Sequence, residues 1–355
     1  MENIEKLGFN TYKSSLPDQA DIESFELGRV IAEHKERYIV STNKGDIEAE
    51  ITGKMRFTAA GREDYPAVGD WVLLIPYGEN AIIHEVLPRK TVIKRQTSGQ
   101  ASEIQLIATN VDTAFLMQSV GYDININRLE RYLSICAASK VDAVIVLSKI
   151  DLISENELKE YIDKIRKRIP NTEIVCISNE SQSGYEQLSG LFEEAKTYCM
   201  LGSSGVGKST LLNNLSGDVI MKTDHISEST GKGRHVSTHR ELRILNNGAI
   251  LIDNPGMREV GMADSSSGIE STFAKIEDLS SSCKYDDCTH TSEVGCAVID
   301  AVENQELDEA YYRNYIKLQK ENAHYESSDL EKRQKDKDFG KMIKTFKKNR
   351  KNNKY

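Results

Sequence analysis

Gly202-Ser203-Ser204-Gly205-Val206-Gly207-Lys208-Ser209, followed by Thr210, has the residue types and spacing of a phosphate-binding loop. Its glycines let consecutive backbone N–H groups curl around a polyphosphate, Lys208 brings a mobile charge to the outer phosphates, and the Ser209 hydroxyl is placed to ligate Mg2+. A phosphate site needs a carboxylate at the end of a neighbouring strand. Asp253-Asn254-Pro255-Gly256 matches the D-x-x-G of a GTPase switch, with Asp253 holding the metal through a water and the Gly256 N–H sensing the terminal phosphate. Guanine is selected by a carboxylate that accepts from its N1 and N2 hydrogens, which adenine does not offer. Ser148-Lys149-Ile150-Asp151 resembles the N-K-x-D pattern that does this, with serine in place of asparagine. Lys149 would lie along the base and Asp151 would read its edge, while Ser148 is too short to make all of an asparagine's hydrogen bonds. Ser178 is expected to supply a backbone contact to the guanine oxygen. A second cluster, Cys283, Cys288, His290 and Cys296, is spaced C-x4-C-x-H-x5-C. Three thiolates and an imidazole fit a closed tetrahedral site for one structural Zn2+, because four protein ligands leave no open position.

The elements that must hold these residues are legible around them. The run Tyr198-Cys199-Met200-Leu201 before the loop and Thr210-Leu211-Leu212-Asn213-Asn214-Leu215 after it place the loop where a buried strand becomes a helix. Asn247-Gly248 marks a tight turn between strands at 241–245 and 249–252, so Asp253 falls at a strand end. Ala143-Val144-Ile145-Val146-Leu147 is a strand leading to Ser148, and Glu173-Ile174-Val175-Cys176-Ile177 is one leading to Ser178. A strand at 113–117 and helices at 126–139, 155–168 and 185–194 complete a wound α/β pattern. The stretches 178–184 and 265–268 read as polar, flexible breaks. Cys136, Cys176 and Cys199 read as ordinary core thiols.

The base-reading loop therefore precedes the phosphate loop, the reverse of the order in ordinary small GTPases. In a parallel sheet all ligand loops lie at the carboxyl ends of the strands, so a site survives cutting and rejoining of the chain. With the inverted order, the stretch Thr230-Gly231-Lys232-Gly233-Arg234-His235, the Asp253 motif and the cysteine spacing, residues 25–320 resemble the ribosome small-subunit-dependent GTPase A family. That resemblance implies a multidomain chain with an N-terminal OB-fold β-barrel, a circularly permuted central α/β P-loop GTPase domain and a C-terminal helical zinc-binding domain. It also implies a GTPase that acts late in maturation of the small ribosomal subunit, contacts its rRNA, and turns GTP into GDP and phosphate under stimulation by the subunit. The first switch in the family reads G-R-H-T-T-T, whereas here Val236, Ser237 and Thr238 follow His235; Thr238 is taken as the magnesium ligand. The glutamine that orients water in Ras-like enzymes is replaced by Met257, which leaves His235 as the candidate catalytic residue, with His239 as its rival.

Domain bounds of 1–24 for an N-terminal extension, 25–100 for the barrel, 101–262 for the GTPase domain and 263–355 for the zinc domain with its basic tail are expected. Short strand-like runs at 27–32, 37–41, 47–51 and 70–75 suggest a small barrel, and periodicity alone does not separate an OB-fold from an SH3-like one. Trp71 reads as core. Lys54, Arg56, Arg62, Arg89, Lys90, Lys94 and Arg95 are candidates for following an RNA backbone. The net charge of −9 argues against indiscriminate coating of nucleic acid, although residues 332–354 hold eleven Lys or Arg against two Asp. No signal peptide or long apolar span is read, and metal-spaced cysteines fit a reducing compartment, so a cytoplasmic monomer without membrane contact is expected. Two other functions share these features: a P-loop nucleotide-dependent kinase, and an RNA-binding module that holds GTP without useful hydrolysis. An ATP-specific kinase has no need of Asp151.

Overall fold

The computed structural model describes residues 3–14, 16, 25–34, 37–96, 104–121, 124–216, 240–253, 261 and 265–326. Two short helices, α1 (Asn3–Lys6) and α2 (Phe9–Lys13), lead into β1 (Glu26–His34), β2 (Arg37–Thr42), β3 (Gly45–Ile51), α3 (Gly53–Thr58), β4 (Trp71–Tyr77) and β5 (Asn80–Val86). The strands close in the order β1-β2-β3-β5-β4-β1, with β3 and β5 parallel and the other pairs antiparallel. This is the Greek-key ring of an OB-fold, and it settles the choice that periodicity left open. Val30, Val40, Val72, Leu74 and Ile83 fill its interior. On the outer face of β4, Trp71 is buried as expected, with Phe9 and Tyr12 against it at ring-centroid distances of 5.0 and 5.6 Å.

The antiparallel pair β6 (Val92–Gln96) and β7 (Ile104–Thr109) precedes the wound domain. That domain consists of β8 (Thr113–Ser119), α4 (Ile126–Ala138), β9 (Asp142–Ser148), α5 (Glu155–Arg168), β10 (Glu173–Cys176), α6 (Tyr185–Ser189), β11 (Thr197–Gly202), α7 (Lys208–Ser216), β12 (Glu241–Ile244) and β13 (Ile250–Asp253). Parallel strands lie in the order β10-β9-β8-β11-β13, with β12 antiparallel at the end. Apolar runs such as 143–147 are explained by burial on both faces. Leu129, Tyr132, Ile135 and Ile165 of α4 and α5 cover one face, while Leu188, Leu211 and Leu212 of α6 and α7 cover the other.

One join was not legible in sequence. β12 also pairs with β1 through Ala32 and Glu241, so barrel and wound sheet form one eleven-stranded sheet. Arg29 of β1 reinforces the junction from within. Its buried guanidinium donates to the carbonyls of Leu7, Gly69 and Asn110 and to Thr197 Oγ1, and burial lowers its pKa to about 10. Thr197 begins the strand that carries the phosphate loop.

The C-terminal helices are α8 (Ser266–Thr272), α9 (Ala274–Ser280), α10 (Ala297–Glu303) and α11 (Glu309–Glu326), packed around Ile269, Phe273, Ile276, Val298 and Leu318. The flexible break expected at 265–268 is instead the start of α8. Gly268 is the reason: it lies so close to α4 that a Cβ would fall 1.9 Å from the Ser134 carbonyl oxygen. A serine- and glycine-rich run that reads locally as a linker is helical here because glycine lets two helices touch. The helix expected at 185–194 is also shorter, ending at Ser189.

Candidate nucleotide site and metal centre

The carboxyl ends of β8, β9, β10, β11 and β13 converge on one edge of the sheet, and the loops expected to carry chemistry are the ones that leave it. The phosphate loop runs from Gly202 at the end of β11 to Lys208 at the start of α7. Gly205 and Gly207 have φ of 81° and 95°, the left-handed region that glycine enters without strain. A Cβ at Gly207 would also sit 2.5 Å from Asn179 Nδ2 and push aside the amide that donates to the Gly207 carbonyl. Lys208 is buried, and its Nζ donates to the carbonyls of Gly202 and Ser203, both at 2.7 Å. Ser209 and Thr210 stand in the first turn of α7, where unpaired N–H groups and the helix dipole favour an anion.

Ser148 does more than its size suggests. It is fully buried, and its hydroxyl donates to the Val206 carbonyl at 2.7 Å, tying the base-reading loop to the phosphate loop. Lys149 follows with φ of 62°, and Asp151 lies exposed in the turn Ile150–Leu152. The Ile150 N–H donates to the Ile177 carbonyl at 3.3 Å, so the loops after β9 and β10 are joined as well. Ser178 is buried, and its N–H is donated to the Ser183 carbonyl while its Oγ accepts from the Ser181 N–H. The stretch 178–184 is thus a hydrogen-bonded loop, not a slack linker.

Asp253 ends β13 with 2% of its surface exposed, and its Oδ2 finds no hydrogen-bond partner among the described residues. Burial raises its pKa to about 6, opposed by the Lys208 and Arg243 charges and assisted by Glu241. A buried, orphaned carboxylate oxygen on the same sheet edge as the first turn of α7 fits a hydrated cation. His235, Thr238 and Gly256 lie outside the described residues, as do Met257 and the basic tail.

Residues that the sequence did not single out complete the edge. Asn179 donates to the Gly207 carbonyl at 2.9 Å, accepts from Tyr185 Oη, and receives Asn214 Nδ2 on its own carbonyl. Arg128, near the start of α4, donates to Ser203 Oγ at 3.0 Å. The signal for Asn179 was its place directly after Ser178; Arg128 had only the Asn125 cap three residues before it.

In the C-terminal domain the donor atoms of Cys283, Cys288, His290 and Cys296 all lie within 4.8 Å of one another. Cys283 Sγ is 3.8 Å from Cys296 Sγ, and His290 Nδ1 is 3.6 and 3.4 Å from those two sulfurs. Tetrahedral Zn–S bonds of about 2.3 Å and Zn–N bonds of about 2.0 Å imply edges of this size. The ligand loop is braced by Glu293, whose carboxylate is held well below the usual range by the Thr289 hydroxyl and by the N–H groups of Ser292, Thr289 and Thr291, all of which donate to it. Tyr312 Oη donates to the His290 carbonyl at 2.6 Å.

The RsgA GTPase family model matches residues 86–263, and a small ribosomal subunit biogenesis GTPase, RsgA 1 of Bacteroides thetaiotaomicron, is 38% identical over 329 residues, 92% of this chain and 91% of its own. The chain belongs to the RsgA GTPase family. As an RsgA GTPase it is a GTP hydrolase that uses GTP and Mg2+. The crystal structure of YjeQ from Thermotoga maritima superposes with a TM-score of 0.59 at 25% identity, covering 82% of this chain and 96% of that one. YloQ, described as a circularly permuted GTPase, gives 0.59 at 23% identity over 88% and 100% of the two chains and shares the fold. An ABC transporter model also matches residues 185–352, a span that includes the phosphate loop but not Asp151.

Several of the expected RNA-tracking residues already have protein partners. Arg89 is committed to Asp70 at 2.7 Å and to the Glu63 and Tyr65 carbonyls, Lys90 pairs with Asp112, and Arg95 donates to Gln105. Lys54 and Arg56 remain exposed on α3, beside Phe57, which is 91% exposed. No helix among the described residues is long and apolar enough to cross a membrane.

Proposed function

We propose that the protein acts in late maturation of the small ribosomal subunit, engaging the subunit in its GTP form and leaving after hydrolysis to GDP and phosphate, which the subunit stimulates. The observation that carries this reading is the junction of barrel and nucleotide domain in one sheet. β1 of a barrel type that binds RNA is paired to β12, and β12 in turn is paired to β13, which ends in Asp253. The relatives are named small ribosomal subunit biogenesis GTPases, which supports the same partner.

In this reading Gly202, Ser203, Ser204, Gly205, Val206 and Gly207 wrap the phosphates, and Lys208 turns from its two carbonyls to the β- and γ-phosphates. Ser209 and Thr238 ligate Mg2+, Asp253 holds it through a water, and Gly256 senses the terminal phosphate. Lys149 and Asp151 read guanine, beside the loop that begins at Ser178. His235 accepts a hydrogen bond from the attacking water, the task that Met257 cannot perform. Cys283, Cys288, His290 and Cys296 hold one structural Zn2+, which staples a small helical domain. The exposed face of α3 and the basic tail meet rRNA, and the protein works as a cytoplasmic monomer.

Sedimentation with purified small subunits tests the proposal. Retention with a non-hydrolysable GTP analogue and release with GDP is the expected result. Equal sedimentation with both nucleotides, or none with either, would overturn it.

A further inference from the structure

Ser203 is the point at which two cations meet the phosphate loop. Its carbonyl accepts from Lys208 Nζ at 2.7 Å, and its hydroxyl accepts from Arg128 Nη1 at 3.0 Å. The second of these contacts comes from another element and is held in place by a chain of bonds. Gln118, fully buried at the end of β8, donates through Nε2 to the Asn125 carbonyl and accepts the Asn125 N–H on Oε1, both at 2.9 Å. Asn125 then caps α4, its Oδ1 accepting from the Arg128 N–H at 3.1 Å.

The rest of α4 cannot readily shift along its axis. Arg131 forms a two-pronged pair with Glu321 of α11, one prong at 2.7 Å. Buried Glu130 accepts from Arg168 at 2.6 Å and from Asn314 of α11 at 2.5 Å, and Gly268 is seated against Ser134. Arg128 therefore projects from a helix fixed at its start by β8 and along its length by the C-terminal domain.

We propose that Arg128 is a positioning residue for GTP hydrolysis, acting through Ser203 to fix the first turn of the phosphate loop and the rest position of Lys208. Phosphoryl transfer leaves the protein little covalent work, so its rate depends on donors already aimed at the charge that develops on the terminal phosphate. An arginine is suited to this: its planar fork loses less freedom per bond than a lysine stem, and its charge adds to the field behind the loop. A contact that tunes donor placement acts more strongly on the transition state than on bound nucleotide, so it shows in kcat and not in KM.

The test is steady-state GTP turnover by the full chain carrying Arg128→Ala, Arg128→Lys, Ser203→Ala or both alanine changes, with GDP affinity measured alongside. Arg128→Ala is expected to lower kcat about tenfold with KM and GDP affinity within about threefold of the parent, and Arg128→Lys to recover part of the loss. Because the two side chains act as one unit, Ser203→Ala should match Arg128→Ala and the double variant should be no slower than either. Unchanged kcat in Arg128→Ala would overturn the proposal. So would multiplicative losses in the double variant, or equal weakening of GTP and GDP with kcat intact, the mark of a loop that has merely loosened. Should Arg128→Ala fail to fold, Arg128→Lys and Ser203→Ala carry the same comparison.

Discussion

Removing the Ser148 hydroxyl should weaken both GTP and GDP, even though the residue sits in the guanine-reading motif. The hydroxyl is fully buried and donates to the Val206 carbonyl at 2.7 Å, so Ser148→Ala leaves that carbonyl without this donor inside the phosphate loop. A buried acceptor stripped of its partner costs about 1–3 kcal/mol. In the free variant the loop can turn that carbonyl to water, whereas a loop wrapped on phosphates cannot, so the cost falls on the bound state and affinity drops between about fivefold and about a hundredfold. Both nucleotides share the loop, so the ratio of GTP to GDP affinity should stay within about twofold, and the ratio of guanine to adenine nucleotide should be nearly unchanged. Titration of a fluorescent GTP and GDP against parent and variant in Mg2+ buffer measures both. Parent-like affinity for both nucleotides would refute the reasoning, and a loss confined to guanine would show that Ser148 acts on the base and not on the loop.

Asp151→Asn should weaken GTP and shift preference toward xanthosine triphosphate, since an amide can donate to the carbonyl that replaces guanine's amino group; competition binding that still favours GTP would contradict the assignment. Cys288→Ser should abolish zinc binding and loosen the C-terminal helices while the GTPase sheet stays folded, because the C-terminal helices and that sheet have separate cores; metal analysis of freshly purified parent showing no zinc would contradict the assignment. His235→Ala should keep GTP affinity within about threefold and lose most of the acceleration by small subunits, the pattern of a group used only in the transition state; full stimulation of that variant would hand the role to another residue.

The phosphate loop, the D-x-x-G strand end and the cysteine spacing were legible because each depends on a short local pattern: glycines where the backbone must approach a phosphate, ligands at fixed spacing. The hairpin at Asn247-Gly248 was legible through its turn dipeptide and the helix at 155–168 through its apolar spacing, to which the structure adds a capping box at Ser154 and Glu157. What escaped was long-range. No local signal at Ala32 and Glu241 announces that barrel and wound sheet share a strand pair, because pairing partners lie some two hundred residues apart. Gly268 reads as slack until α4 is laid against it. Arg89 and Lys90 look like RNA contacts by charge alone, and only the fold reveals Asp70 and Asp112 beside them. Ser148 looked like a weakened asparagine, yet the hydroxyl reaches Val206 because β9 and the phosphate loop are brought within one hydrogen bond.

The most direct test of the central claim is GTP turnover by the purified protein alone and with purified small ribosomal subunits. The account predicts slow intrinsic hydrolysis, since Met257 stands where an orienting glutamine would be, and acceleration of at least about tenfold by small but not large subunits. A rate that small subunits leave unchanged, or that large subunits raise equally, would contradict it.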